Sequence, residues 1–94
     1  MKPAKIPKSA VLVLDKLAKE GPLTPGELSI RVKIPIRTVS FALKLLRKSG
    51  LCKRRHNLHD MRQPLYYANR PRIDELEIDL NRWRAEQRRF FRIV

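Results

Sequence analysis

The chain has 94 residues, 43% of them hydrophobic, with 22 lysines and arginines against 9 acids and a formal net charge of +13. That length supports one domain and excludes the large enzyme barrels, and the apolar share is too high for a disordered chain. A single cysteine, Cys52, excludes an intrachain disulfide framework and a four-cysteine zinc site.

The pI is near 11.0, and the charge is unevenly placed. Residues 1–72 hold 17 basic side chains and four acids (Asp15, Glu20, Glu27, Asp60), whereas residues 73–94 hold five of each. A basic surplus confined to the first three quarters of a short chain points to a polyanionic partner. The longest unbroken apolar run, Ala10–Leu14, is too short to cross a membrane or to form the apolar part of a secretory leader.

Residues 1–8, with two prolines and three lysines, read as an extended basic arm. Ser9 is the expected N-cap of a helix over Ala10–Glu20, with Leu14, Leu17 and Ala18 on one face and Val11 a turn earlier. Gly21-Pro22 ends it. Thr24-Pro25-Gly26-Glu27 is a helix start with a capping box, and the short helix runs through Leu28, Ile30 and Val32. Lys33-Ile34-Pro35 breaks the chain before a third helix, Ile36–Ser49, which buries Val39, Leu43 and Leu46 and stops at Gly50.

Leu51–His56 is expected as a basic strand and Leu65–Ala68 as its partner, joined by a long, mobile polar tip over Asn57–Gln63. Asn69-Arg70-Pro71 breaks the sheet, and a last helix starts near Ile73. In it Ile73, Leu76, Leu80, Trp83, Gln87, Phe90 and Val94 recur at alternating spacings of three and four, a heptad seam. That helix either folds back on its own domain or pairs with a second copy. The second reading is preferred, because a 22-residue helix extends about 33 Å. Acids crowd its first half and arginines its second, so antiparallel pairing of two copies sets acid against base.

Two helices joined by a tight turn and followed by a basic hairpin are the parts of a winged helix-turn-helix. Thr38-Val39-Ser40, Leu43, Leu46 and Gly50-Leu51 resemble the recognition helix of the ArsR and MarR types of winged-helix transcription regulators. Arg54-Arg55 and Tyr66-Tyr67 stand where such wings place basic and aromatic residues. The resemblance covers about residues 10–72. It implies a mainly α chain with a small β-hairpin: a basic arm (1–8), a winged-helix DNA-binding domain (9–72) and a long C-terminal dimerisation helix (73–94). The function implied is that of a homodimeric, sequence-specific regulator on double-stranded DNA, with a palindromic site. A cytoplasmic, nucleoid-associated setting follows, and the size and pI also fit an archaeal or viral chain.

The residues facing away from the third helix's apolar side are the candidate DNA contacts. Arg37 suits the two acceptors of guanine, Ser40 reaches a base edge or phosphate, Lys44 and Lys48 suit phosphates, and Thr38 shares their face. Arg47 lies on the same face. Phe41 departs from the family, which often carries Arg or another polar residue there; its ring either meets a thymine methyl or packs on another helix. Lys53, Arg54, Arg55, His56, His59 and Arg62 make the wing basic, with Arg55 and Arg62 the candidates for a minor groove. The candidate dimer interface is Ile73, Leu76, Leu80, Trp83, Gln87 and Phe90.

Other chemistry has little footing. Cys52, His56, His59 and Asp60 make a poor metal set, and the cysteine-rich motif of metal-sensing ArsR-type proteins is missing, so no metal or other cofactor is expected. No paired carboxylates, nucleophile-and-base set or phosphate-cradling glycine loop points to catalysis. Three alternatives stay open: a chromatin-type protein coating DNA without sequence preference, a ribosomal protein binding folded RNA, and a module whose basic face meets an acidic protein.

Overall fold

The computed structural model describes residues 6–76 and residue 80. Its elements are α1 (Lys8–Glu20), α2 (Pro25–Val32), α3 (Ile36–Lys48), β1 (Cys52–Arg55), β2 (Leu65–Ala68) and α4 (Arg70–Glu75). This is a mainly helical domain with one two-stranded antiparallel hairpin, the architecture of a winged helix. Helices α1, α2 and α3 pack around one core, and the hairpin closes it from the side.

Helix α1 starts two residues before Ala10. Pro7, not Ser9, occupies the N-cap, without a side-chain cap. The physical reason is the proline ring: its φ of −56° already suits the entry to a helix, and its carbonyl accepts from Val11 N–H at 3.1 Å. Ala10, Val13, Leu14 and Leu17 form its buried stripe; Val11 and Ala18 are only partly buried at its edge. Val13 lies three residues beyond Ala10 and four before Leu17, so it completes the i, i+3, i+7 row.

Helix α2 has the expected capping box. Thr24 N–H donates to Glu27 Oε1 at 2.9 Å, and Glu27 N–H donates to Thr24 Oγ1 at 3.2 Å, with Pro25 in the first turn. Only Leu28 is buried; Ile30 is 77% exposed. The turn into α3 uses Lys33 in the left-handed region at φ 60°. Ser29 Oγ donates to Ile34 O at 2.7 Å and fixes this turn.

Helix α3 buries Val39, Leu43 and Leu46 as expected, and Ala42 with them. It ends at Lys48 with Ser49 as C-cap. Gly50 follows at φ 76°, where a side chain is strained, and Leu51 N–H returns to Leu46 O at 2.8 Å. Leu51 therefore belongs to the helix end and is fully buried, which shortens the expected strand to Cys52–Arg55.

The register pairs Cys52 with Ala68 and Arg55 with Leu65. Leu23 adds a bridge invisible in the sequence. Its N–H donates to Tyr66 O at 3.0 Å and its carbonyl accepts from Tyr66 N–H at 2.9 Å, tying the α1–α2 connection to the wing.

Helix α4 begins at Arg70 rather than Ile73. Asn69 ends the sheet and Pro71 sits in the first turn, where its missing N–H costs nothing. Asn69 Nδ2 donates to Gly50 O at 2.7 Å and Arg72 Nε to Ser49 O at 3.2 Å, so α4 is latched to the end of α3. Ile73 and Leu80 are buried in the domain's own core and Leu76 packs against it. The first part of the heptad pattern is thus satisfied within the chain, contrary to its assignment to a dimer interface. Trp83, Gln87 and Phe90, and the expected long helix carrying them, lie outside the described residues, as does most of the basic arm.

Candidate nucleic-acid interface

The side of α3 that turns away from the core carries Arg37, Ser40, Phe41, Lys44, Arg47 and Lys48, all exposed, with Thr38 half-buried at the margin. The periodicity that buries Val39, Ala42, Leu43 and Leu46 forces this result, because residues one and two positions away point about 100° and 200° round the helix. Phe41 is 58% exposed. It is not part of the domain's core cluster.

In β1 only Cys52 is buried, and Lys53, Arg54 and Arg55 are all exposed. His56, His59 and Arg62 continue the exposed series into the tip. The two elements share a face. Arg47 of α3 lines a cleft of about 420 Å³ together with Arg54, Arg55, His56, Met61 and Pro64 from the wing. A concave, argininyl cleft of this kind suits a phosphate, since guanidinium groups pair with its oxygens in a fixed fork.

Electrostatics set this face apart. Among the described residues, Arg37, Lys44, Arg47, Lys48, Lys53, Arg54 and Arg55 enter none of the ion pairs. Elsewhere some cations are matched and others, Lys19, Lys33 and Arg70, enter none of these pairs either. Glu20 meets both Lys16 and Arg31, and Arg72 meets Glu75. At the tip Arg62 lies 3.6 Å from Asp60 with its side chain 93% exposed.

The tip itself is built rather than bare loop. Asn57, buried, accepts from His59 N–H at 3.0 Å, and Asp60 accepts from Arg62 N–H at 3.0 Å. Gln63 N–H donates to Asp60 O at 3.1 Å. The sequence reading gives Asn57–Gln63 as a long polar tip and does not foresee these turns. The signal that was there is the Asx residue at each turn start, whose side chain bonds the backbone two residues on.

Cys52 is buried under the wing, with Leu43 O at 3.9 Å from its Sγ. Burial pushes its thiol up to about 11, against a smaller opposing effect of Arg47. It stays a protonated thiol at neutral pH, the opposite of a reactive thiolate. Among the described residues no group of three or more His, Cys, Asp or Glu side chains is placed to hold a metal, and no helix is long and apolar enough to cross a membrane.

The family model for MarR matches residues 6–63, which contain α1, α2, α3 and the first strand and tip of the wing. Solved structures agree in fold. The YusO protein from Bacillus subtilis superposes with a TM-score of 0.73 at 22% identity, over 95% of this chain and 63% of that one. The zinc-responsive MarR family member ZitR of Lactococcus lactis gives 0.67 at 26% identity, over 79% and 51%. Streptococcus pneumoniae FabT, solved in complex with DNA, gives 0.71 at 17% identity, over 93% and 61%. The chain thus spans between 51% and 63% of the length of these three proteins. No curated protein matches its sequence. With the order of helices, the capped turn and the wing all in place under a family model that covers most of the domain, the chain belongs to the MarR family, a family of winged-helix transcription regulators rather than enzymes.

Proposed function

We propose that the chain acts as a sequence-specific regulator that binds double-stranded DNA as a homodimer on a palindromic site. The observation that carries this reading is the exposed side of α3, where Arg37, Lys44, Arg47 and Lys48 stand outside every ion pair of the described residues and Arg47 shares a cleft with Arg54 and Arg55 of the wing. The DNA complex of FabT, a protein of the same fold, supports the same partner.

In this reading the first turns of α3 enter the major groove. Arg37 pairs with guanine, Ser40 bonds a base edge, and Phe41 lies against a thymine methyl. Thr38, Lys44 and Lys48 hold phosphates, and a further phosphate seats in the cleft between Arg47 and the wing arginines. Arg55 and Arg62, with Lys53, Arg54 and His59 behind them, follow the backbone into the minor groove. The winged-helix unit takes in residues 9–72 together with Ile73, Leu76 and Leu80, which its core covers, and the rest of residues 73–94 supplies the pairing segment, with Trp83, Gln87 and Phe90 as its contacts. The protein would work in the cytoplasm, on the nucleoid.

The test is a binding selection from random double-stranded DNA at about 150 mM salt, with folded RNA as competitor. Recovery of a two-fold symmetric motif with half-sites about one helical turn apart is the expected outcome. Tight binding with no enriched motif would assign the chain to non-specific DNA coating. Preference for folded RNA would move it to a ribosomal role.

A further inference from the structure

The tip of the wing carries two apolar side chains that the fold does not use. Leu58 is 87% exposed and Met61 is 70% exposed. An isolated exposed leucine is ordinary on a protein surface. These two differ in being held out by the same pair of turns. Asn57 and Asp60 each accept a backbone N–H two residues on, and the buried Asn57 anchors the base of the loop. The carboxylate of Asp60 is turned onto the loop, where Arg62 N–H and Gln63 Nε2 reach it at 3.0 and 3.3 Å.

The surroundings of the pair are mostly basic, with Asp60, beside Met61, the one acid and itself paired with Arg62. Arg55 and His56 precede Leu58, His59 and Arg62 bracket Met61, and all four are exposed. Leu58 edges a cleft of about 400 Å³ whose lining includes Arg55, His56 and His59. Met61 edges the neighbouring cleft with Arg47 and Arg54. A partner for this tip must combine dense negative charge with an apolar slot. A duplex minor groove does: phosphates form its walls, and stacked bases and sugar edges form its floor. An anionic lipid surface offers the same two features, but two side chains bury little apolar area there. The charged face also continues from the tip onto the polar side of α3, which has no apolar stripe to lie in a membrane.

We infer that Leu58 and Met61 form an apolar wedge that enters the minor groove and opens a base step, bending the DNA, while Arg55 and Arg62 hold the groove walls. This rests on the DNA-binding reading above and adds to it a deformation of the duplex. Specificity then arises at positions the protein does not read by hydrogen bonds, because pyrimidine–purine steps such as TA open most easily. Leu and Met are suited to this work, since each can slide between bases without leaving a buried polar group unpaired.

The test uses the full chain and a short A·T-rich duplex with 2-aminopurine in place of adenine at its TA steps, end-labelled for energy transfer. The comparison is with the double variant Leu58→Ser, Met61→Ser. Both residues are exposed, so its melting temperature should match that of the parent. The expected result is a rise in 2-aminopurine emission and a shortened end-to-end distance with the parent chain. The variant should lose both and bind about tenfold more weakly, with the salt dependence of binding unchanged. Binding by both proteins with equal affinity, no emission change and no bend would overturn the wedge and leave the DNA-binding reading intact. Failure of the parent to bind any duplex would overturn both. Capture of the parent, but not the variant, on phosphatidylserine vesicles in place of duplex would reassign the tip to lipid.

Discussion

The two sides of the domain handle charge in opposite ways. Where α1 meets α2, two cations share one acid: Glu20 receives Lys16 at 2.8 Å, one helical turn away, and also Arg31 from the neighbouring helix. Where α3 meets the wing, Arg47, Arg54 and Arg55 converge on a cleft with no acid in its lining. Like charges brought together without a counter-ion oppose folding, so the second arrangement is unfavourable in the free protein. Its cost is recovered only when a polyanion arrives. The contrast separates side chains that stabilise the domain from side chains that stabilise a complex.

The comparison predicts a clean division under mutation. Arg37→Ala, Lys44→Ala and Lys48→Ala together should weaken DNA binding about a thousandfold, combining one base contact of about 1–3 kcal/mol with two phosphate contacts. The slope of log affinity against log salt should become shallower by about two. Thermal stability should stay level or rise, because like charges are removed. A variant that unfolds, or that binds as before, would break the division.

Two neighbours on one helix sharpen it. Leu43 is 2% exposed and Phe41 is 58% exposed. Leu43→Ala should cost about 2–5 kcal/mol in urea unfolding, from lost burial and the cavity left behind. Phe41→Ala should stay within about 0.5 kcal/mol in the same experiment and lower affinity for DNA instead.

A smaller effect tests the turn that sets the angle between the two helices. Lys33 holds φ 60°, a conformation that glycine adopts freely and lysine does not. Lys33→Gly should raise stability by about 0.5 kcal/mol, the relief of left-handed strain less the extra chain entropy of glycine. Because Ser29 Oγ already fixes the turn on Ile34 O, the helix pair and its DNA affinity should not change.

Much of this was legible beforehand, for reasons that differ by element. The capping box at Thr24–Glu27 and the burial of Val39, Leu43 and Leu46 are local rules acting on nearby residues, so they survive folding unaltered. Exposure of Arg37, Ser40 and Lys44 follows from the same helical period. What escaped is what depends on distant partners. The bridge from Leu23 to Tyr66 joins residues 43 positions apart, and nothing near either one announces it. The destination of Ile73 and Leu80 escaped for a related reason. A heptad pattern states that one face is apolar, and the packing of α4 onto α3 through Asn69 and Arg72 decides what covers it. The turns of the wing tip escaped because Asn57 and Asp60 were counted as polar residues rather than as backbone acceptors.

The smallest effect concerns the matched side itself. The hydrogen bond from Lys16, helped by Arg31, holds the Glu20 carboxyl below the usual carboxylate range. Its carboxylate is therefore favoured in the folded chain more than in the unfolded one. The sign follows: the contribution is fully present above the ordinary carboxylate pKa and disappears as pH falls through the lowered folded value. Glu20→Gln should accordingly flatten the acid limb of stability between about pH 5 and about pH 3, measured as the urea midpoint at each pH. Glu20 is exposed, so the difference should shrink further when salt is added. The binding of DNA at neutral pH should not respond to this substitution beyond a slight gain from the added positive balance. If Glu20→Gln instead changed affinity as strongly as the loss of Lys44 and Lys48, the matched pair and the unmatched face would form one electrostatic unit, and the division between folding charge and binding charge would fail.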